Sequence, residues 1–344
     1  MPHVPKVTVV IPAYNVENFI AHSLRSVLAQ TFVDFEVIVV NDGSTDRTLD
    51  VVAGFADSRV RAVTQRNRGL AGARNTGIRQ ARGRYIAFLD ADDLWHPDKL
   101  ARHVAHLDAR PGVGVSYCPS ILIDDAGAPM GCMQSPKLTD IAPSDVFLRN
   151  PVGNGSVPVI RAATLADIAV PHWHDGAREA RWFDESFRQS EDIECWTRIA
   201  LTTSWHFEGI GTALTLYRIN SGGLSANVEK QLASWERMVA TTAAYAPDFV
   251  AQWGAVARSY QLRYLARRAV RGGAALQGLT LLRDALRASP AMLRQEPART
   301  LATFAAALLG AVLPRSFYCA LEAWGLRAAG LRQRKLRPAT GVPC

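Results

Sequence analysis

Short runs of consecutive apolar and β-branched residues, each broken by a polar cluster and followed by helical spacing, dominate the first 120 residues. Val7-Thr8-Val9-Val10-Ile11 is too apolar to leave one face in water, and it reads as a strand of a parallel sheet buried on both faces. Pro12 ends it. Phe19, Ile20, Ser23, Leu24, Val27 and Leu28 then recur at helical spacing. A second run, Phe35 to Val40, stops at Asn41-Asp42-Gly43-Ser44, where Ser44 reads as the N-cap of a helix through Val51 and Val52. Further strands are expected at Val60–Val63, Tyr85–Leu89 and Val113–Tyr117, with a helix carrying Ala73, Ile78 and Ala81 between the third and fourth. This alternation predicts an α/β fold: an open, mostly parallel sheet covered by helices on both faces.

From about Ile121 the periodicity weakens as Gly, Pro and Asp become frequent, and beyond Val228 it turns helical, with Leu276, Leu279, Leu282 and Leu286 as one stripe. The expected organisation is an α/β domain over residues 1–224, with a regular half (1–120) and a less regular half (121–224), then a helical region over 225–344. Charge follows the same division. The chain carries a formal +8, yet from Arg258 onward it holds 15 Arg or Lys against three acids, so the first 257 residues are net acidic. A basic tail attracts phospholipid head groups, lipid-linked phosphates or nucleic acid. No recognised nucleic-acid module accompanies it, and nucleic acid is not expected as a partner. Leu301 to Leu313 is apolar but too short to span a bilayer. Beyond it Phe317, Tyr318, Leu321, Trp324, Leu326 and Leu331 interleave with Arg327, Arg332, Arg334 and Lys335. Such a mixture suits a helix lying in a membrane interface, or a helix pair packed on the main domain. The five cysteines show no Cys-x-x-Cys pair, which fits a reducing compartment. No secretory signal precedes the first strand. A cytoplasmic location, peripheral on the inner face of a membrane, is the expectation.

In open α/β sheets ligands bind beyond the carboxyl ends of the strands. Three strand ends here are polar: Pro12-Ala13-Tyr14-Asn15, Asn41-Asp42-Gly43-Ser44 and Asp90-Ala91-Asp92-Asp93. Three carboxylates within four residues repel one another unless a cation neutralises them, and hard divalent ions with oxygen ligands suit that task. Mg²⁺ or Mn²⁺ uses one or two carboxylates plus phosphate oxygens, so a nucleoside diphosphate would bring the metal along. Asp42 is placed to accept from a base N–H, Tyr14 offers a face for stacking, and Gly43 permits close backbone approach.

The sequence resembles family 2 glycosyltransferases with the GT-A fold. The resemblance rests on Val9 to Asn15, Val39 to Asp46, Asn67-Arg68-Gly69-Leu70-Ala71-Gly72-Ala73-Arg74-Asn75-Thr76-Gly77, Tyr85 to Asp93, and Phe183-Asp184-Glu185 followed by Glu191-Asp192. Any one string is weak; five in order, across residues 5 to about 224, are specific. The resemblance implies that Pro12, Tyr14, Asn15, Asp42, Gly43 and Ser44 line the nucleobase side. It implies that Arg74 approaches the base or diphosphate, that Asp90 and Ala91 meet the ribose or metal region, and that Asp92 is the direct metal ligand. Asp192 would be the general base of an inverting transfer from a nucleotide sugar, UDP-linked, to a glycan or lipid-linked acceptor.

Other readings stay open on the residues themselves. Glu191 and Asp192 also suit the positive end of a helix over Ile193 to Leu201. Arg74 could be a surface residue and Tyr14 plain core, while His172, Trp173 and His174 could touch acceptor or sit in a loop without a role. Asn220 stands where the family often has His, which bears on metal preference. The string Gln-x-x-Arg-Trp of processive synthases is missing, so single-sugar addition is expected. A nucleotidyltransferase is the main rival, but it expects a Gly-rich basic loop where Pro12-Ala13-Tyr14-Asn15 stands. A fold-retaining binding protein without activity is the other.

Overall fold

The computed structural model describes residues 3–219, 227–315 and 317–318. Two compact units emerge: residues 1–146 with 150–220, and residues 147–149 with 221–344.

In the first unit the alternating elements appear as β1 (Val7–Ala13), α1 (Ile20–Leu28), β2 (Phe35–Asn41), α2 (Thr48–Ala53), β3 (Val60–Thr64), α3 (Gly69–Gln80) and β4 (Tyr85–Phe88). Next come β5 (Leu94–Trp95), α4 (Lys99–Ala109), β6 (Val113–Tyr117), β7 (Ser120–Ile123), β8 (Pro129–Gln134) and α5 (Pro143–Arg149), whose last three residues belong to the second unit. The elements β9 (Val159–Arg161), α6 (Ala162–Asp167), β10 (Val170–His174), β11 (Ala177–Arg181), α7 (Glu191–Thr202), β12 (His206–Gly209) and β13 (Thr215–Arg218) follow.

The main sheet has seven strands in the order β12-β6-β9-β4-β1-β2-β3. Its pairings are parallel except at β9, which runs antiparallel to β4 and β6. Alternate residues of β1 and β2 enter opposite cores. Val9, Ile11, Val37 and Val39 pack with α1 and α4, whereas Val10, Ile38 and Val40 pack with α3 and α7. Both faces are therefore covered, which is why these strands carry no polar alternation. The chain winds outward through β1, β2 and β3, then returns past β1 to β4. The order thus reverses between β1 and β4, the kind of switch point at which open α/β sheets bind ligands.

Several elements lack a legible sequence pattern. Most of a four-stranded sheet, β5-β13-β7-β8, and the β10–β11 hairpin lie in the stretch expected to be irregular; β5 comes from the regular half. His172, Trp173 and His174 are strand residues of that hairpin, not loop residues. Ser44 does not cap α2: Arg47 is the N-cap residue, and the Ser44 hydroxyl accepts from the Asn15 backbone N–H (3.1 Å).

The second unit contains α8 (Val228–Tyr245), α9 (Pro247–Arg271), α10 (Ala275–Ala288), α11 (Ala291–Gln295) and α12 (Pro297–Val312). Its core gathers Leu262, Leu265, Ala266, Leu282, Ala285 and Met292, with Leu279 and Leu286 packed against it. Leu276 breaks the expected stripe, since its side chain is exposed and Leu281 takes the inward place. Asn220 and nearly all of the basic stretch from Leu321 onward lie outside the described residues. Among the described residues no helix is long and apolar enough to cross a membrane.

Candidate active site

Parallel register brings the polar strand ends together. Ala13 pairs with Asn41, so the turn after β1 lies beside the turn after β2, and Val10 pairs with Phe88, which sets Asp90 near Pro12. Asn15 adopts a left-handed backbone (φ 51°), a conformation Asn tolerates, and its Oδ1 accepts from the Thr45 N–H (2.8 Å). The Asn41 Oδ1 accepts from the Ser44 N–H (3.1 Å). Gly43 has φ +77°, and a Cβ there would lie 3.1 Å from the Asn67 nitrogen, so the position favours glycine on both counts. Pro12 is buried in β1, whereas Tyr14 is 51% exposed. Tyr14 is therefore an aromatic presented at the rim and not a core residue.

Asp42 is buried, and both its oxygens serve the chain. Oδ1 accepts from Gln65 Nε2 (2.6 Å) and the Arg68 N–H (2.8 Å), and Oδ2 from the Gly69 N–H (2.8 Å), which fixes the start of α3. Burial pushes its carboxyl above the ordinary aspartate range despite these bonds.

At the end of β4 the three aspartates are sorted by their neighbours. Asp93 is fully inside, accepting from the Ser156 hydroxyl (2.6 Å) and the Arg218 N–H (2.8 Å). Burial, with Asp92 and Asp90 beside it, raises its carboxyl well above the ordinary range. Ala91 is buried, and its carbonyl accepts from the Ser23 hydroxyl (2.7 Å). The Asp92 carbonyl accepts from Arg218 Nε (2.7 Å). Asp90 Oδ1 accepts from Arg74 Nη2 (2.8 Å), and its backbone N–H donates to the Ser156 hydroxyl (2.9 Å). Part of the charge of the three adjacent carboxylates is thus met within the chain: Arg74 holds Asp90, and Ser156 and the Arg218 N–H hold Asp93.

Arg74 is the hub. It is 2% exposed, donates through Nη1 to Glu191 Oε1 (2.8 Å), and stands 5.5 Å from the Phe183 ring centroid. Its Nε is buried with no hydrogen-bond partner. Burial works against its charge, but Asp90, Glu191 and Asp192 more than offset that and raise its pKa. The guanidinium thus bridges the end of β4 and the first turn of α7 and is not a surface group. Gly155 makes room for it, as a Cβ there would fall 2.1 Å from Arg74 Nη2. Asp192 follows Glu191 in that turn, half-buried, with Ser190 before it in a left-handed backbone (φ 64°). Burial and the Glu191 charge push the Asp192 carboxyl up to about 7, against the pull of Arg74. Both acids begin a helix, as one of the two sequence readings expected, and both also face Arg74.

Sequence reasoning quoted Glu191 and Asn75 within motifs but gave them no role of their own, and it passed over Gly155 and Ser156. The Asn75 side chain is buried on α3. It accepts from the Trp182 and Phe183 N–H groups (3.0 and 2.9 Å) and donates to the Phe183 carbonyl (2.8 Å), which carries the chain toward α7. Its place in the Gly-rich run is the one signal that could have found it. Arg68 likewise binds Glu185 through Nε and Nη2 (3.0 and 2.9 Å). Among the described residues, one group of three or more candidate metal-ligating side chains converges within 4.8 Å: His172, His174 and Glu185. Glu185 is already held by Arg68 and Asn75, and its side chain is less exposed (12%) than that of Asp90, which shares one oxygen with Arg74. The rim fits a divalent ion better. Asp90 is only partly buried (24% exposed) and Asp92 half-buried, both offer hard oxygen donors, and Mg²⁺ or Mn²⁺ needs just one or two carboxylates when phosphates supply the rest.

Comparison with known proteins fits this arrangement. The model of Glycosyl transferase family 2 matches residues 8–126. The UDP-Glc:alpha-D-GlcNAc-diphosphoundecaprenol beta-1,3-glucosyltransferase WfgD of Escherichia coli is 30% identical over 227 residues, covering 66% of this chain and 82% of that one. The mannosyltransferase PcManGT from Pyrobaculum calidifontis, solved with GDP-Man and Mn²⁺, superposes with a TM-score of 0.56 at 22% identity, over 96% of this chain and 87% of that one. TarS of S. aureus (residues 1–349), solved with UDP-GlcNAc, superposes at 0.52 with 18% identity, over 84% and 92%. The two structures bear on the fold alone.

Proposed function

Since this chain belongs to glycosyltransferase family 2, with its GT-A fold, we propose that it transfers one sugar, with inversion, from a UDP-sugar to a lipid-linked acceptor in cell-surface glycan synthesis. The observation that carries the mechanism is the Arg74 bridge, which holds Asp90 and Glu191 and thereby sets Asp192 beside the metal-binding rim. The name of the Escherichia coli relative supports a UDP-linked donor and a diphosphoundecaprenol-type acceptor.

A sugar hydroxyl is a poor nucleophile, so its proton must leave as attack begins. Asp192 takes that proton, and a carboxyl titrating near neutrality suits a base that must give it up again. Attack opposite the diphosphate inverts the anomeric centre without a covalent intermediate. Asp92, with Asp90, would hold Mn²⁺ or Mg²⁺, which when bound stabilises negative charge on the departing diphosphate. Tyr14 stacks on the base, and the loops built by Asn15, Asp42, Gly43 and Ser44 shape its pocket around Pro12. Arg74 positions the acids from beneath. The chain works at the cytoplasmic face of a membrane, where the acceptor's lipid is anchored.

A thermal-shift panel of UDP-, GDP- and other nucleotide sugars, with and without Mn²⁺, tests the donor, since a ligand that binds the native state raises Tm by mass action. A Mn²⁺-dependent rise with a UDP-sugar is expected. A larger rise with GDP-mannose, or none that Asp92→Asn abolishes, would overturn this assignment.

A further inference from the structure

Helix α12 packs Phe304, Ala306 and Ala307 on the helical core yet leaves most of its large apolar side chains outside. Its buried positions are Thr300, Thr303 and Ala307, small or polar residues. Thr300 Oγ1 accepts from Arg263 Nη1 (2.7 Å) and lies 2.9 Å from the Glu296 carbonyl, and the Thr303 hydroxyl donates to the Arg299 carbonyl (2.8 Å). The opposite face carries Leu301 (60% exposed), Leu308 (54%), Leu309 and Val312 (81%), with Ala302 and Ala305 exposed among them. Positions 301, 305, 308 and 312 follow helical spacing, so they form one continuous stripe. No charged residue interrupts the chain between Arg299 and Arg315. A helix in water puts such a stripe inward.

Charge identifies what covers it. Arg294, Arg299 and Arg315 are all exposed on the segments that flank the stripe, and residues 258–344 hold 15 basic against three acidic side chains. A second copy of this chain would bring the same positive charge to the contact. An anionic lipid surface brings apolar depth and negative head groups together. Sixteen helical residues extend about 24 Å, at 1.5 Å each, and the helix does not qualify as a membrane span. It therefore lies in the plane of the surface. We propose that the outer face of α12 seats the protein on an anionic bilayer, with Leu301, Leu308, Leu309 and Val312 entering the acyl boundary and Arg294 and Arg315 on lipid phosphates. This deepens the membrane-side reading above by naming the surface that makes the contact.

Flotation of the full chain with phosphatidylcholine vesicles, with and without phosphatidylglycerol, tests it. The wild type is expected to float with the anionic vesicles and poorly with the neutral ones. The triple variant Leu301→Gln, Leu308→Gln, Val312→Gln is expected to partition at least about tenfold more weakly, with Tm and transfer to a water-soluble acceptor analogue unchanged. Arg294→Gln with Arg315→Gln is expected to remove the preference for phosphatidylglycerol. Wild-type indifference to anionic lipid would overturn the proposal, as would a triple variant that floats like wild type. A Tm fall of several degrees in the triple variant would also overturn it, by showing the stripe covered by the chain itself. So would a wild-type dimer, seen by light scattering without lipid, that this variant dissociates. A chain that transfers sugar but ignores vesicles leaves the transferase reading standing, and one that binds vesicles but transfers nothing leaves this proposal standing.

Discussion

Two charge clusters, one in each unit, are mirror images in sign. In the α/β unit one cation, Arg74, faces three carboxylates: Asp90 and Glu191 by direct bonds and Asp192 through the field. In the helical unit one carboxylate, Glu296, faces three guanidinium groups, those of Arg149, Arg263 and Arg299. The second cluster is closed by its own hydrogen bonds and those of Thr300, and its carboxyl is held down at about 2 by Arg149 and Arg263 despite burial. The first is left with excess negative charge at a strand-end cleft, and one of its carboxyls is pushed up to about 7. A cluster balanced from within serves stability. One with charge left over at the strand ends is what the proposed transfer requires, where a partner arrives with the opposite sign or carries a proton.

The sharpest way to break this contrast is Asp192→Asn, which removes the base and keeps the shape. Turnover is expected to fall by at least about 10²–10⁴ while UDP still raises Tm. Near-normal turnover would leave the α/β cluster as structural as its mirror image. Arg74→Ala should act on both stability and activity. It strands Glu191 and Asp90 without a cation, at about 3–5 kcal/mol in urea unfolding.

The corresponding test of the helical unit is Glu296→Gln, expected to lower its stability by about 3 kcal/mol near neutral pH with sugar transfer to a soluble acceptor intact. Because folding lowers this carboxyl from 4.5 to about 2, its contribution is fully present above pH 4.5. That contribution is lost as pH falls from there toward 2, so the gap between wild type and Glu296→Gln should close over that range in pH-dependent unfolding. Asp42→Asn should be milder, about 1–2 kcal/mol, because one oxygen still accepts at the start of α3 while the amide faces an N–H. Leu276→Gln should change Tm least of all, within about 0.5 kcal/mol, since the side chain is exposed.

The amino-acid sequence by itself determined the parallel sheet and the polar edge formed by its strand ends. Strands such as Val7–Ile11 and Phe35–Val40 carry no polar alternation, and residues that must be buried on both faces leave few other folds. The strings at Asp42, Arg74, Asp90 and Asp192 identified the family for the same reason: local chemistry is written locally. Tertiary structure alone decided what each charged group does. Arg74 and Glu191 are 117 residues apart, and only packing made them partners. The same holds for Ser156 against Asp93 and for Asn75 against Phe183, contacts that no local period encodes. The short strands β7, β9 and β13 were hidden because three or four residues hold too few repeats to show a period. The outward apolar face of α12 was hidden because periodicity finds a stripe without saying which side of the helix the rest of the molecule will cover.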